Sequence, residues 1–385
     1  GVLLGLTPIL EIAKNDIQSG LKDSSRSSSE GHQRTWLRSA LVVSEVALAC
    51  LLIVGTGLLV RSFMRVLDID LGFQPERTAA LRIIPGEQIR NHESLMAFLK
   101  ELQSRIRQVP GVEAVSGTDA LPLDRNRSWG ISAKGAIYPE GIPSAHVSFV
   151  FPDYFRAMGI PVRSGREFTA ADDAKSRSVV ILNQTGARAL YPNIENATGQ
   201  ILLVGDRECE VTAVVSDVRH SGPEIDSGIE IYLPVTQGEG QSGSASIDFV
   251  IRTTLDPESL ASGVRSAVRP LDPNLPITEF LPLQDLVDRA TSPRRIIVWM
   301  LVGFAGIALL LAALGIYGVV SYSVSKRTQE IGIRMALGAS AKNVQMGVIQ
   351  QTLQLVMAGI AIGITAALAL SHLVISMLFE VGTYD

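Results

Sequence analysis

At 385 residues with a mean hydropathy of +0.26, the chain is too apolar for an ordinary soluble protein, yet its 19% of charged residues is too many for one embedded wholly in lipid. A formal net charge of -4 and the lack of any basic stripe interleaved with aromatics argue against nucleic acid as a partner. Of the two cysteines, Cys50 sits in an apolar run and Cys209 in a distant polar region, so they do not suggest a disulfide scaffold.

The opening "GVLLGLTPIL" is too short for a signal peptide and lacks its basic start, and it reads as the tail of a helix. "LKDSSRSSSEGHQRT" is Ser-rich and polar, the composition of a flexible linker, so residues 1–36 are expected to be a helix end followed by a cytoplasmic linker. Three runs then reach the roughly 20 apolar residues that a bilayer demands: residues 37–60, residues 296–320, and "LQLVMAGIAIGITAALALSHLVISMLF" within residues 344–379. Inside lipid the backbone must satisfy its own hydrogen bonds, so these are expected to be transmembrane helices. Residues 380–385 are left as an extracytoplasmic end. Gly359 with Gly363 and Ala308 with Ala312 have the spacing that lets helices approach closely. Glu45 is the one acid within a span; it lies roughly 10 Å along the helix from Arg38, so it is expected at the inner interface or facing the bundle interior.

Arg34 and Arg38 precede the first span, and Lys326, Arg327, Arg334 and Lys342 fill the short loop between the second and third. Arg61, Arg65, Arg294 and Arg295 point the other way, but they flank a region long enough to be translocated largely regardless of charge. The N-terminus and the 321–343 loop are therefore placed in the cytoplasm, and residues 61–295 outside.

That outer region alternates strand-like and helix-like signals, an α+β pattern. "TAALRIIP" reads as a strand and "HESLMAFLKELQSRIRQV" as an amphipathic helix through Leu95, Phe98, Leu99, Leu102 and Ile106, ended by Pro110 and Gly111. After a polar, Gly- and Pro-rich passage come the strands "SAHVSFVF", "SRSVVILN" and "CEVTAVVSDV" and the short helices "PDYFRAMG" and "QTGARALY"; "IDFVIRTT" and "PESLASGVRSAVRPL" close the region as strand and helix. The order suggests two subdomains, one built from the flanks and a strand-rich one inserted at about residues 144–233.

Catalytic chemistry is thinly supported. The five histidines, His32, His92, His146, His220 and His372, lack ligand spacing, and neither a phosphate loop nor a nucleophile turn occurs. Asp172 and Asp173 read as a solvated turn. An enzyme is not expected, no metal or cofactor is assigned to the chain, and energised work would draw on another polypeptide.

The remaining segment of interest is "KRTQEIGIRMALGAS", Lys326 to Ser340. On a helical wheel Lys326, Arg327, Glu330 and Arg334 share one arc, while Ile331, Gly332, Met335, Ala336 and Ala339 occupy the other. Gly332 costs a helix about 1 kcal/mol relative to Ala, which is tolerable where another surface approaches closely. Gly338 can stop the helix and Ser340 can cap the next. Two readings are open on these residues alone: a docking helix for a partner, and an amphipathic helix resting on the inner leaflet.

"RTQEIGIRMALGA" resembles the coupling-helix signature of the MacB-like and FtsX-like permeases of ABC transporters. "VPGVEAVSGTDALPL", "FPDYFRAMGIPVRSGREFTAAD", "VVILNQTGARALYP", "VTAVVSDVR" and "IYLPV" resemble successive blocks of the family's extracytoplasmic domain. The linker followed by "RSALVVSEVALACLLIVGTGLLVRSF" is more particularly similar to the middle of the duplicated permeases called ADOP, so this chain looks like a second unit. The resemblance implies a bacterial inner-membrane permease for transport or efflux, with four spanning helices in the family against three here, the fourth missing after "LFEVGTYD". It implies a cytoplasmic ABC ATPase dimer that uses the ATP, a second permease unit, fused or homodimeric, and a periplasmic or outer-membrane partner. Arg327, Glu330, Gly332, Arg334 and Gly338 would form or shape the docking helix, and Arg61 to Arg65 with Ser292 to Arg295 would be stalk positions that carry motion outward. An FtsX-like signalling module, relaying ATPase motion to an outside partner, is the alternative.

Overall fold

The computed structural model describes residues 27–84, 92–139, 141–238, 246–271 and 277–374; the expected N-terminal helix remnant, the end of the third apolar run and residues 380–385 lie outside them. In chain order the elements are α1 (Ser27–Leu67), β1 (Thr78–Ile83), α2 (His92–Arg107), β2 (Val112–Thr118), β3 (Ser128–Ala133), β4 (Ser144–Val150), α3 (Tyr154–Met158), β5 (Val162–Gly165), β6 (Val179–Asn183), α4 (Gln184–Leu190), β7 (Ile201–Val204), β8 (Arg207–Val215), β9 (Glu230–Pro234), β10 (Ile247–Thr253), α5 (Ala261–Val268), β11 (Ile277–Pro282), α6 (Leu283–Lys326), α7 (Thr328–Ala336) and α8 (Ala341–Val374). They divide into two compact units, Met64–Arg295 and the pair of segments Gly1–Phe63 and Ile296–Asp385.

Among the described residues three helices are long and apolar enough to cross a membrane: Trp36–Leu67 in α1, Leu283–Lys326 in α6 and Ala341–Leu370 in α8. They meet in a narrow seam of Val42, Val46 and Ala49 on α1 and Ala312 on α6, with Val356 and Ile360 of α8 packed against it. The remaining faces present bulky apolar side chains such as Trp299, Leu310, Leu314 and Tyr317 outward, as a lipid-facing surface requires. α1 begins at Ser27, inside the Ser-rich stretch expected to be a flexible linker. Extending a helix costs far less than nucleating one, so the apolar run carries helix into the polar sequence before it.

Among the described residues of the other unit, all eleven strands belong to one sheet. β11, β1, β10 and β2 form a flanking antiparallel half, with Leu81 opposite Phe249 and Phe280. The strands β4, β3, β7, β8, β6 and β9 form a second half, and because β9 also pairs in parallel with β4, they close into a ring. A single register pair, Thr118 with Val150, joins the two halves. Closure explains why β6 and β9 are buried at every position. Alternate residues serve opposite faces: Val180, Leu182, Ile231 and Leu233 join one apolar cluster, and Val179, Ile181 and Tyr232 join another with α3 and the root of α6.

The first cluster continues beneath α2, whose Leu99, Leu102 and Ile106 are fully buried with Val264 and Val268 of α5. The second takes in Leu71 and Phe73 after α1 and Leu283, Leu286 and Val287 at the start of α6. β2 and β3 arise within the passage read as polar, and β3 joins the ring although it precedes Ser144. Their small and hydroxylated residues, "VEAVSGT" and "SWGISA", dilute the apolar alternation that marks a strand.

Candidate functional site: the helix between the second and third spans

α7 is short, charged and held at both ends. At its start Arg327 occupies the cap position without a side-chain cap, and the Thr328 hydroxyl donates to the carbonyls of Val324 at 3.1 Å and Ser325 at 2.9 Å. The first full turn closes with Ile331 N–H donating to Arg327 O at 2.8 Å. At its end Gly338 adopts φ 97°, its N–H bonds Met335 O at 3.1 Å, and Ala339 N–H bonds Arg334 O at 3.0 Å. This is a Schellman termination, which needs a left-handed residue at that position and so explains Gly338. Ser340 Oγ then accepts from Asn343 N–H at 3.3 Å and starts α8. The tight link therefore follows from three adjacent residues of the sequence.

Of the five residues expected to shape a docking helix, four have defined local roles. Glu330 and Arg334 form an i,i+4 ion pair at 2.6 Å on the exposed face, in the favourable order. The Arg327 guanidinium reaches Gln351 Oε1 on α8 at 3.4 Å. Gly338 terminates the helix. Gly332 is the exception: a Cβ built there meets no atom within 4 Å, so nothing among the described residues requires glycine.

No residue of α7 is buried. Ile333, Met335 and Leu337 are exposed, Leu337 to 83%. Val324, Ile331 and Met335 face Val344, Val348 and Ile349 across an open apolar groove of about 380 Å³. Exposed charges and exposed apolar side chains together are what a helix offers to a second surface.

The helix-packing residues are brought together with α1. A Cβ at Gly359 would lie 2.8 Å from Val46 Cβ and 3.0 Å from Val43 O, and one at Gly363 would lie 2.7 Å from Ala47 O. Both glycines thus permit a backbone-to-backbone approach that any side chain would block. Ala312 is buried in the α1–α6 seam, with Ala308 partly buried beside it. The Glu45 carboxylate points at Gly315 of α6, whose missing side chain leaves it space. Glu45 faces a neighbouring helix, one of the two placements expected for it.

Outside the membrane the structure places polar groups in surroundings that the sequence did not mark. Glu230 is 2% exposed and accepts from the Tyr232 hydroxyl at 2.9 Å, and burial pushes its carboxyl up to about 8. His146 and His220 stack at 5.4 Å. Burial, then the neighbouring His146, pushes His220 down to about 4; burial lowers His146 as well. Asp172 departs from the solvated-turn reading. It is buried and takes a two-pronged contact from Arg166 at 2.8 Å, which holds its carboxyl below the usual range, whereas Asp173 stays exposed and caps the turn at Lys175. Among the described residues no group of three or more His, Cys, Asp or Glu is arranged to hold a metal ion.

Comparison with known proteins gives two family matches, a MacB-like periplasmic core domain over residues 39–270 and an FtsX-like permease C-terminal region over residues 302–384. The macrolide export ATP-binding/permease protein MacB of Agrobacterium fabrum is 26% identical over 236 residues, covering 60% of this chain and 36% of that protein. MacB of Rhodopseudomonas palustris is 26% identical over 303 residues, 77% of this chain and 44% of that protein. The chain thus spans between a third and a half of the length of these relatives. The crystal structure of the periplasmic region of MacB from Actinobacillus actinomycetemcomitans aligns with 58% of this chain and 95% of its own at 15% identity, with a TM-score of 0.38. Matched along most of its length in the expected order, the chain belongs to the MacB/FtsX-like family of ABC transporter permeases, as a multi-pass inner-membrane protein with an extracytoplasmic α/β domain.

Proposed function

We propose that the chain is the permease part of a transport or efflux system energised by a separate cytoplasmic ABC ATPase dimer, which grips α7 and passes motion through α1 and α6 to the outer domain. The observation that carries this reading is α7 itself: a helix fixed at both termini, with an ordered charged face and no buried residue. The relatives' names combine ATP binding with a permease, and the sequence that matches them contains no phosphate loop. On this reading a separate partner binds the ATP and a second permease unit completes the bundle. A periplasmic or outer-membrane partner receives the cargo.

The test is Gly332→Leu in the full-length protein with its own ATPase. Leucine favours the helix intrinsically, but bulk at a packed contact costs typically about 1 to 3 kcal/mol, so ATPase association should fall by roughly tenfold or more while membrane insertion is retained. A helix resting on lipid responds in the opposite sense, because added apolar area strengthens its binding. Glu330→Lys, which breaks the ion pair, is the second probe. Unchanged ATPase pull-down in both variants would falsify docking on this helix.

A further inference from the structure

The segment from Ser216 to Ile229, between β8 and β9, has partners on two sides. Towards the ring half, Asp217 accepts from Thr185 N–H at 2.8 Å and from its hydroxyl at 3.0 Å. Asn183 Nδ2 donates to Gly228 O at 2.8 Å, His146 N–H donates to Ile229 O at 2.8 Å, and the His220 ring stacks on His146. Towards the long helices, Arg219 N–H donates to Leu71 O at 3.0 Å just after α1 ends, and Glu224 forms an ion pair with Arg294 of α6. Gly72, at φ 79°, lies so tightly against the carbonyl of Asp217 that a Cβ has no room. One short segment therefore holds the ring half to the chain leaving α1 and to α6.

The place where it holds α6 is distinctive. Pro293 stands inside the helix immediately before Arg294. It has no N–H for the carbonyl of Arg289 and its ring crowds that carbonyl, so the helix bends most easily at this turn. On the near side of the proline, Arg289 pairs with Glu279 of β11 at 3.0 Å, in the flanking half. On the far side, Arg294 pairs with Glu224, carried by the ring half. The halves share a single ladder pair, Thr118 with Val150. Two side-chain clasps on opposite sides of a soft turn thus attach to the two halves of the sheet, which pack against each other through shared apolar clusters.

We propose that the Ser216–Ile229 strap is the element through which α6 moves the ring half against the flanking half, with the Arg294–Glu224 pair as its handle and the Pro293 turn as its pivot. The proposal rests on the reading that motion enters at α7. Bending α6 at Pro293 changes the separation of the two clasps, and the strap delivers that change to β4, α4 and β9.

The test uses the full chain in its membrane, with Glu224→Arg, Arg294→Glu and the charge-swapped double variant, read by amide hydrogen exchange. Without ATPase, each single variant should speed exchange roughly threefold across the whole strap and along Ile231 to Leu233, and the double variant should restore it, as expected for a partly buried ion pair. With the copurified ATPase and a non-hydrolysable ATP analogue, the single variants should lose the nucleotide-dependent exchange change in β9 while still retaining the ATPase. Exchange changes confined to the residues beside the substitutions, or a wild-type nucleotide response in both single variants, overturns the strap. If the wild-type chain retains no ATPase, docking on α7 fails, and the ATPase-free arm alone decides the strap.

Discussion

α2 and α7 carry the same kind of message in sequence and meet opposite fates. Both are amphipathic helices with a polar arc and an apolar arc. α2 lays Leu99, Leu102 and Ile106 into the core beneath the sheet, where each is fully buried. α7 buries nothing, and its Ile333, Met335 and Leu337 remain exposed. Periodicity states that a helix has a face to cover; only the rest of the fold, or a second molecule, determines what covers it. The contrast separates apolar residues that stabilise the chain from apolar residues held ready for something outside it.

The sharpest way to break that contrast is truncation in the core. Leu102→Ala in the excised residues 66–288 should lower unfolding stability by about 2 to 5 kcal/mol in urea titration, since the cavity adds to the lost transfer energy. A loss below 1 kcal/mol would place α2 in the same class as α7, and failure of the wild-type fragment to unfold cooperatively would deny the domain its own core.

A pH titration of the same fragment probes burial through charge. Glu230 ionises near 4.5 when unfolded and near 8 when folded, so between those values the folded state binds more protons and stability falls as pH rises. His220, pushed down from 6.5 to about 4, acts oppositely, but only below 6.5. From pH 6.5 to 8 the Glu230 slope stands clear of the histidines and should amount to about 2 kcal/mol. Glu230→Gln should flatten it. An unchanged slope would mean that another group binds the proton.

The smallest effect belongs to α7. Ile333→Ala and Leu337→Ala should shift the melting of the permease chain by no more than the equivalent of about 0.5 kcal/mol, because neither side chain is covered. A large destabilisation would show that α7 is packed against its own chain. If both variants instead weaken ATPase pull-down while leaving melting unchanged, these two exposed apolar side chains belong to the interface.

Much of this was legible in the residues. Long apolar runs admit only helices in lipid, so the spans followed from length; Gly338 and Ser340 marked the turn between α7 and α8 because only particular residues terminate and start helices there. The small residues at 308, 312, 359 and 363 announced close helix contacts, although not which helix would meet them. The packed α+β pattern of the outer domain was likewise carried by period-2 and period-3.6 spacing. What the sequence by itself could not determine is everything that depends on residues far apart in the chain. Ring closure rests on β4 meeting β9, eighty-odd residues later. The proton-holding environment of Glu230 is made by its surroundings, and the burial of Asp172 is made by Arg166 together with the fold around them. The clasp of Arg294 on Glu224 joins residues seventy positions apart. Local spacing fixes local conformation, because backbone sterics and hydrogen bonding act over a few residues; non-local pairing, burial and the pKa shifts that follow exist only once the chain has closed on itself.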